Sequence, residues 1–180
     1  MTTKDFAELF SGLRLAYGSY RPNEDNGPGK QKGQYRVVSE DIDDDRLIEL
    51  WDNHLRGIES LGIVPIREDN SCVWGAIDID TYPLKHDALV ERLVKRNELP
   101  FVVARSKSGG AHVFCFVSEP VSASTMQTKL KEIASALGYG TAEIFPKQTK
   151  LLLEKGDRGN ILNMPYFGGS SSRRYCHNDD

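Results

Sequence analysis

Apolar residues recur at helical spacing in four places along the chain. Phe6, Leu9, Phe10 and Leu13 share one face of a helix expected over residues 4–15, with Thr2 and Asp5 placed as a capping box. Leu47, Leu50, Trp51, His54 and Leu55 form the apolar face of a second, over residues 44–57. Its acidic start, Asp43 to Asp45, suits the helix dipole. On that face His54 reads as a packed, hydrogen-bonded residue. A third helix is expected over residues 84–96, with Leu89, Val90, Leu93 and Val94 inward. A fourth is expected over residues 124–137, with Met126, Leu130, Ile133 and Leu137 inward, Gln127 in a capping box, and Gly138 and Gly140 ending it.

Short β-type runs lie between them, at residues 63–66, 73–80, 101–105, 111–117 and 141–145. Residues 68–71 read as a turn and residues 106–110 as a tight polar loop. Residues 18–34 are polar and rich in Gly, Pro and Asn, the composition of a flexible loop. Lys30 and Lys32 there fit either a solvated surface or a nucleic-acid backbone. Residues 159–167 suggest a further strand ending at Pro165, and residues 168–180 a disordered, Gly-, Ser- and charge-rich tail.

From residue 73 the order is β-α-β-β-α-β, the split ferredoxin-like or RRM-like unit of an α/β (α+β) protein. Its strands stand in the spatial order fourth, first, third, second, with both helices on one face. Ala76-Ile77-Asp78-Ile79-Asp80 then lies on the central first strand. Alternation places Ile77 and Ile79 under the helices and Asp78 and Asp80 on the open face. His112 and Glu143, on the two flanking strands, share that face when Ala111, Val113 and Ile144 take the helix side.

Composition narrows the class. The 180 residues suit one domain with a proper core. No apolar run is long enough to span a bilayer, and no signal-peptide pattern follows Met1. Three widely spaced cysteines, Cys72, Cys115 and Cys176, argue against a disulfide framework and fit a reducing cytoplasm. The net charge of −3 hides an asymmetry: residues 1–100 carry −6 and residues 101–178 carry +5. A basic second half beside acidic strand positions suits an anionic ligand held through metal ions, not binding by charge alone.

Asp78, Asp80 and Glu143 make a set of hard oxygen donors of the kind that magnesium or manganese takes. Two such cations can activate a hydroxyl and stabilise a leaving pyrophosphate. An isolated Asp-x-Asp also fits helix capping or a solvated edge. In the loop Ser106-Lys107-Ser108-Gly109-Gly110-Ala111-His112, glycines let backbone N–H groups approach an anion. Arg105 and Lys107 can pair with phosphate oxygens and His112 can donate to one; the same loop also suits a plain β-hairpin. Phe114 and Phe116 share the His112 face, where cover by the N-terminal helices is favoured over a role in stacking bases. Cys72 and Cys115 read as core residues. Cys176-His177 is half of a zinc pattern with no matching pair in the chain.

Three stretches together resemble the archaeo-eukaryotic primase, or primase-polymerase, superfamily: Ala76-Ile-Asp-Ile-Asp80, Ser106-Lys-Ser-Gly-Gly-Ala-His112 and Ala142-Glu-Ile-Phe-Pro-Lys-Gln148. The likeness covers residues 73–167. With Gly159-Asn-Ile-Leu-Asn-Met-Pro165, it is similar to the primase domains of mobile-element, phage and conflict-system proteins. It implies DNA primase or polymerase activity with two Mg or Mn ions, NTPs or dNTPs as substrates, and a DNA template or primer. It also implies a fused or associated helicase or accessory domain. Asp78, Asp80 and Glu143 would bind metal; Lys107, Ser108 and His112 would hold the nucleotide's triphosphate. Arg105, Lys147, Asn160 and Asn163 join that nucleotide-binding set. Two positions depart from the family pattern: Ser-Gly-Gly-Ala-His replaces Ser-x-His, and the third acid is Glu. Tyr82 is a candidate for sensing the sugar, and Lys147 and Lys150 for the template groove.

The expected organisation is one catalytic domain over residues 1–180, excised from a longer protein. An N-terminal αβ unit (1–71) packs on the RRM-like catalytic unit (72–167) with the active site between them, followed by a flexible tail (168–180). A metal-dependent nuclease and a non-catalytic nucleic-acid-binding module are the alternatives.

Overall fold

The structure, a computed structural model, describes residues 2–22, 33–96 and 99–177. Among the described residues four α-helices and two four-stranded antiparallel sheets make a mixed α+β fold. The first sheet joins β1 (Tyr17–Pro22), β2 (Gly33–Val38), β3 (Ser60–Ile63) and β8 (Leu162–Asn163) in the order β2-β1-β3-β8. The second joins β4 (Ser71–Ile79), β5 (Phe101–Arg105), β6 (Ala111–Ser122) and β7 (Glu143–Phe145) in the order β5-β6-β4-β7. Counted from β4, that is the expected order: fourth, first, third, second. Among the described residues no helix is long and apolar enough to cross a membrane.

Alternation along β4 divides the core in two. Ile77 and Ile79 pack with Leu89, Leu93, Val103, Val113, Met126, Leu130 and Ile144 beneath α3 (His86–Val90) and α4 (Ala123–Ala136). Trp74, Ala76, Phe114 and Phe145 take the opposite face and meet α1 (Thr3–Leu9) and α2 (Asp44–Leu55). Phe10 bridges the layers, with its ring 5.2 Å from Phe114, 5.3 Å from Phe116 and 5.6 Å from both Trp51 and Trp74. Phe114 is fully buried there and Phe116 partly buried, both against Phe10 of the N-terminal segment.

Several elements differ from their sequence expectation. Thr2 and Asp5 form the capping box, but α1 stops at Leu9. Gly12 packs so closely on the Val64 carbonyl that a Cβ has no room, and the Leu13 N–H bonds that carbonyl instead of continuing the helix. The expected helix over residues 84–96 is α3 followed by a π-helical turn, Glu91–Arg96. Helix α4 is capped by Ser122, not Ser124, and the Gln127 amide donates to the Pro146 and Lys147 carbonyls. The strand expected at 63–66 is β3, ending at Ile63.

Of the loop expected over residues 18–34, residues 18–22 and 33–34 are instead strand, in the antiparallel pair β1 and β2. Glu59 accepts hydrogen bonds from Ser19, Arg21 and Arg36. Lys30 and Lys32 lie outside the described residues. The strand expected over residues 159–167 is only Leu162–Asn163, and it joins β3 in the first sheet. The chain therefore crosses back from the second sheet to the first.

Residues 168–177 are not a disordered tail. The Tyr166 N–H bonds the Arg174 carbonyl, the Arg105 N–H bonds the Tyr175 carbonyl and the His177 N–H bonds the Val103 carbonyl. Cys176 bridges Ala104, so this segment covers the β5 edge of the second sheet. An open strand edge is a liability that such cover removes. Cys72 and Cys115 are free thiols packed in the core beneath the helices.

Candidate active site

The register of the second sheet sets Asp78 directly opposite His112 on β6 and directly opposite Glu143 on β7. Residues opposite one another in an antiparallel pair share a face. Three polar side chains distant in sequence thus stand in a row across three strands, on the face away from α3 and α4.

Asp78 is the inner member of the row. Its side chain is 16% exposed, and its Oδ1 is buried without a hydrogen-bond partner. The His112 Nε2 lies 3.5 Å away. Burial, then the charges of Asp80 and Glu143, push the Asp78 carboxyl up to about 6, with Lys147 opposing. Burial, then the nearby Arg174 charge, pulls His112 down to about 4. His112 is therefore neutral at pH 7, and its short approach to Asp78 is not an ion pair. The imidazole is hydrogen-bonded to the backbone of Asn163, which ties β8 of the first sheet to this site.

Asp80 follows the end of β4 and is exposed. The Tyr82 hydroxyl donates to its Oδ1 at 2.6 Å and is also hydrogen-bonded to Ser108. Ser108 therefore sits beside the acidic pair, although its spacing from His112 departs from the family pattern. Glu143 is exposed and turned toward Lys147, whose Nζ is 2.6 Å from Oε2. Among the described residues no three His, Cys, Asp or Glu side chains converge closely enough, as they stand, to hold a metal ion. The donor types nonetheless fit a hard divalent cation: carboxylate oxygens on one face, with a buried Asp78 oxygen that no donor serves.

The Ser106–His112 stretch closes against the same end of β4. The Ser106 N–H donates to the Gly110 carbonyl and the Gly109 N–H to the Ser106 carbonyl, making a tight turn with Gly109 at φ 97°. Gly110 packs on the Ile79 carbonyl with no space for a Cβ. The glycines thus serve the turn and its approach to the acidic strand together. The Ser106 Oγ is buried without a hydrogen-bond partner. The Arg105 guanidinium lies against Gly109. Lys107 reaches the first sheet, its Nζ 3.4 Å from the centre of the Tyr20 ring.

The structure therefore brings together Asp78, Asp80, His112, Glu143, Lys147 and Ser108, with Asn163 contributing its backbone. Asn160 is exposed, between Gly159 on Val64 and Ile161 over Gly18 and Gly62. No hydrogen bond among the described residues joins it to Asp78. Lys150 is exposed. His177 stacks on His86 at 4.6 Å and meets Asp87 at 3.2 Å; no zinc-type set forms around Cys176 among the described residues. Sequence reasoning missed Tyr20 and Arg174, both buried. Tyr20 fell in an expected loop and Arg174 in an expected disordered tail, so neither carried a signal.

A family model described as AEP-TOTE, the TOTE conflict system archaeo-eukaryotic primase domain, matches residues 14–177. No curated protein matches the chain. The matched span contains both sheets and every residue of the row. Domains of this kind are primase-type nucleotidyltransferases that act on nucleic acid and nucleotides and typically use divalent metals. On a match that covers nearly all of its length, the chain belongs to the archaeo-eukaryotic primase domain family of TOTE conflict systems.

Proposed function

We propose that this chain catalyses template-directed nucleotidyl transfer, as a DNA primase, a DNA polymerase or both, from NTPs or dNTPs. In this reading the second sheet with α3 and α4 is the RRM-like catalytic unit, and substrates enter between it and the first sheet. The observation that carries it is the Glu143–Asp78–His112 row, with its unserved Asp78 oxygen. Asp78, Asp80 and Glu143 would hold two Mg or Mn ions. Such cations, when bound, polarise the reacting hydroxyl and offset the charge of the leaving pyrophosphate. To join that set Glu143 would exchange its Lys147 partner, and Lys147 would then serve the nucleotide or template. Neutral His112, its ring held by the Asn163 backbone, shapes the triphosphate site beside Asp78 without adding charge, while Lys107, Arg105 and Ser108 line the approach.

The burial of Phe114 and its cover by Phe10 count against a base-stacking module. A nuclease would use the same acids, and nucleotide binding separates the two. The test is extension of a DNA template, with and without primer, comparing NTPs with dNTPs in Mg and in Mn. Asp78→Ala, Asp80→Ala and Glu143→Ala should each abolish product, and His112→Ala should chiefly raise the nucleotide KM. Robust synthesis by Asp78→Ala removes the reading.

A further inference from the structure

Arg174 is an unusual cation. It is 7% exposed, and among the described residues no carboxylate lies within ion-pair distance of it. Its guanidinium donates to the Ser60 Oγ at 2.9 Å and reaches the Met164 carbonyl at 3.5 Å. The Phe167 ring lies 5.1 Å from its central carbon. These neutral partners orient the guanidinium without neutralising it. A guanidinium taken out of water costs free energy unless an anion compensates, and burial accordingly pulls Arg174 down to about 10.

The place of this charge is as informative as its isolation. Ser60 pairs with Tyr20 in the first sheet, and Lys107 of the Ser106–Gly110 loop stacks on Tyr20. On the other side Arg174 reaches the Met164 carbonyl, and the backbone of the adjacent Asn163 holds the His112 ring. Arg174 thus stands on the His112 side, where the first sheet meets the second, and His112 in turn faces the unserved Asp78 oxygen. Two unmatched groups of opposite sign sit near each other, yet the neutral His112 ring stands beside Asp78 in place of that cation.

We propose that Arg174 is a phosphate-binding residue of the nucleotide site, and that its missing counter-ion is the polyphosphate of the incoming nucleotide. This rests on the nucleotidyl-transfer reading for the identity of the nucleotide, but not for the preference for polyphosphate. Arg presents a planar fork that pairs two phosphate oxygens at once, whereas a lysine presents a point charge. The segment after β8 then has a task beyond covering the β5 edge: it carries this guanidinium in from the C-terminal side to the strand-end loop.

The experiment uses the full chain and three variants: Arg174→Met, Arg174→Lys and, as a charge-matched control, Arg173→Met at the exposed neighbouring position. Inorganic tripolyphosphate without divalent ions is followed by thermal shift, and ATP, AMP and adenosine by equilibrium binding. Wild type and Arg173→Met should be stabilised saturably by tripolyphosphate and should bind ATP well above AMP. Arg174→Met should lose the stabilisation and bind ATP about tenfold or more weakly, with adenosine unchanged. A folded Arg174→Met with wild-type ATP affinity overturns the proposal, as does a wild type that ignores every polyphosphate. If Arg174→Met fails to fold, Arg174→Lys decides: it should narrow the ATP-to-AMP ratio, and an unchanged ratio means that Arg174 only pins the C-terminal segment. Polyphosphate binding through Arg174 without any strand extension leaves this inference standing and removes the polymerase reading.

Discussion

Replacing Asp78 by Asn should make the ligand-free protein more stable while abolishing synthesis. The Asp78 carboxyl is held at about 6 against a reference of 3.8, chiefly by burial and then by Asp80 and Glu143. At neutral pH that difference corresponds to about 3 kcal/mol set against the charged form. Asn keeps the shape, removes the charge and supplies an amide N–H that faces the neutral His112 Nε2, 3.5 Å from the present oxygen. Part of the gain is lost because an amide still needs partners, so the net gain should be about 1 to 3 kcal/mol. In a chain of this size each kcal/mol moves Tm by about 2 to 4 °C. The assay is urea and thermal unfolding at pH 7.5 in EDTA, with Asp80→Asn as control, since Asp80 is exposed and already bonded to Tyr82. Mn should raise the wild-type Tm and leave Asp78→Asn almost unmoved. An Asp78→Asn protein no more stable than wild type in EDTA would refute the argument that this carboxylate is held at a cost.

Gly110→Ala should be destabilising by about 1 to 3 kcal/mol, because its Cβ would press on the Ile79 carbonyl, which cannot yield as a side-chain tip does; urea midpoints for this variant and for Gly156→Ala as a spacious but positive-φ comparison measure it. His54 should stay neutral to about pH 4: its Nδ1 accepts from the Leu61 N–H, so Nε2 carries the proton toward the Pro165 carbonyl, and burial lowers it to about 4. An unfolded imidazole takes its proton near 6.5, so His54 withholds roughly 3 kcal/mol of stability progressively as pH falls from 6.5 to 4, and nothing above 6.5. Asp78 acts in the opposite sense, adding stability as pH falls through about 6. NMR titration of the His54 ring checks the first point, and a midpoint near 6.5 contradicts it. Lys147→Met should tighten Mn binding severalfold by electron paramagnetic resonance, because Glu143 loses the ammonium 2.6 Å away; weaker binding would mean that Lys147 supports the metal site.

The face of β4 was legible because parity is local: Ile77 and Ile79 can go under helices only if Asp78 goes to the other side. The row across three strands followed from element order, since β-α-β-β-α-β leaves few pairings. What failed depended on partners far along the chain. Helix α1 ends where Gly12 meets Val64, a contact that its own apolar spacing does not announce. β1 carries Ser19 and Arg21, and their hydrogen bonds to Glu59 of a later segment, with Ser19 buried, hold a polar stretch in the sheet. Arg174 finds Ser60 from 114 residues away, so a Gly- and Ser-rich tail gave no sign that it was held.

The three acids are unequal before any ligand arrives, and the inequality follows from where each sits. Asp80, past the strand end, has Tyr82; Glu143, on the exposed edge strand, has Lys147. Asp78, on the central strand between them, has His112 beside it, and burial with the Arg174 charge nearby strips that ring of the proton it would need. A protonated His112 would match Asp78 from within and leave nothing for a cation to do. Keeping the ring neutral therefore preserves the unmatched carboxylate. The basic residue behind the histidine and the acidic residue before it are thus parts of one electrostatic arrangement, and the two sheets have to meet for it to exist.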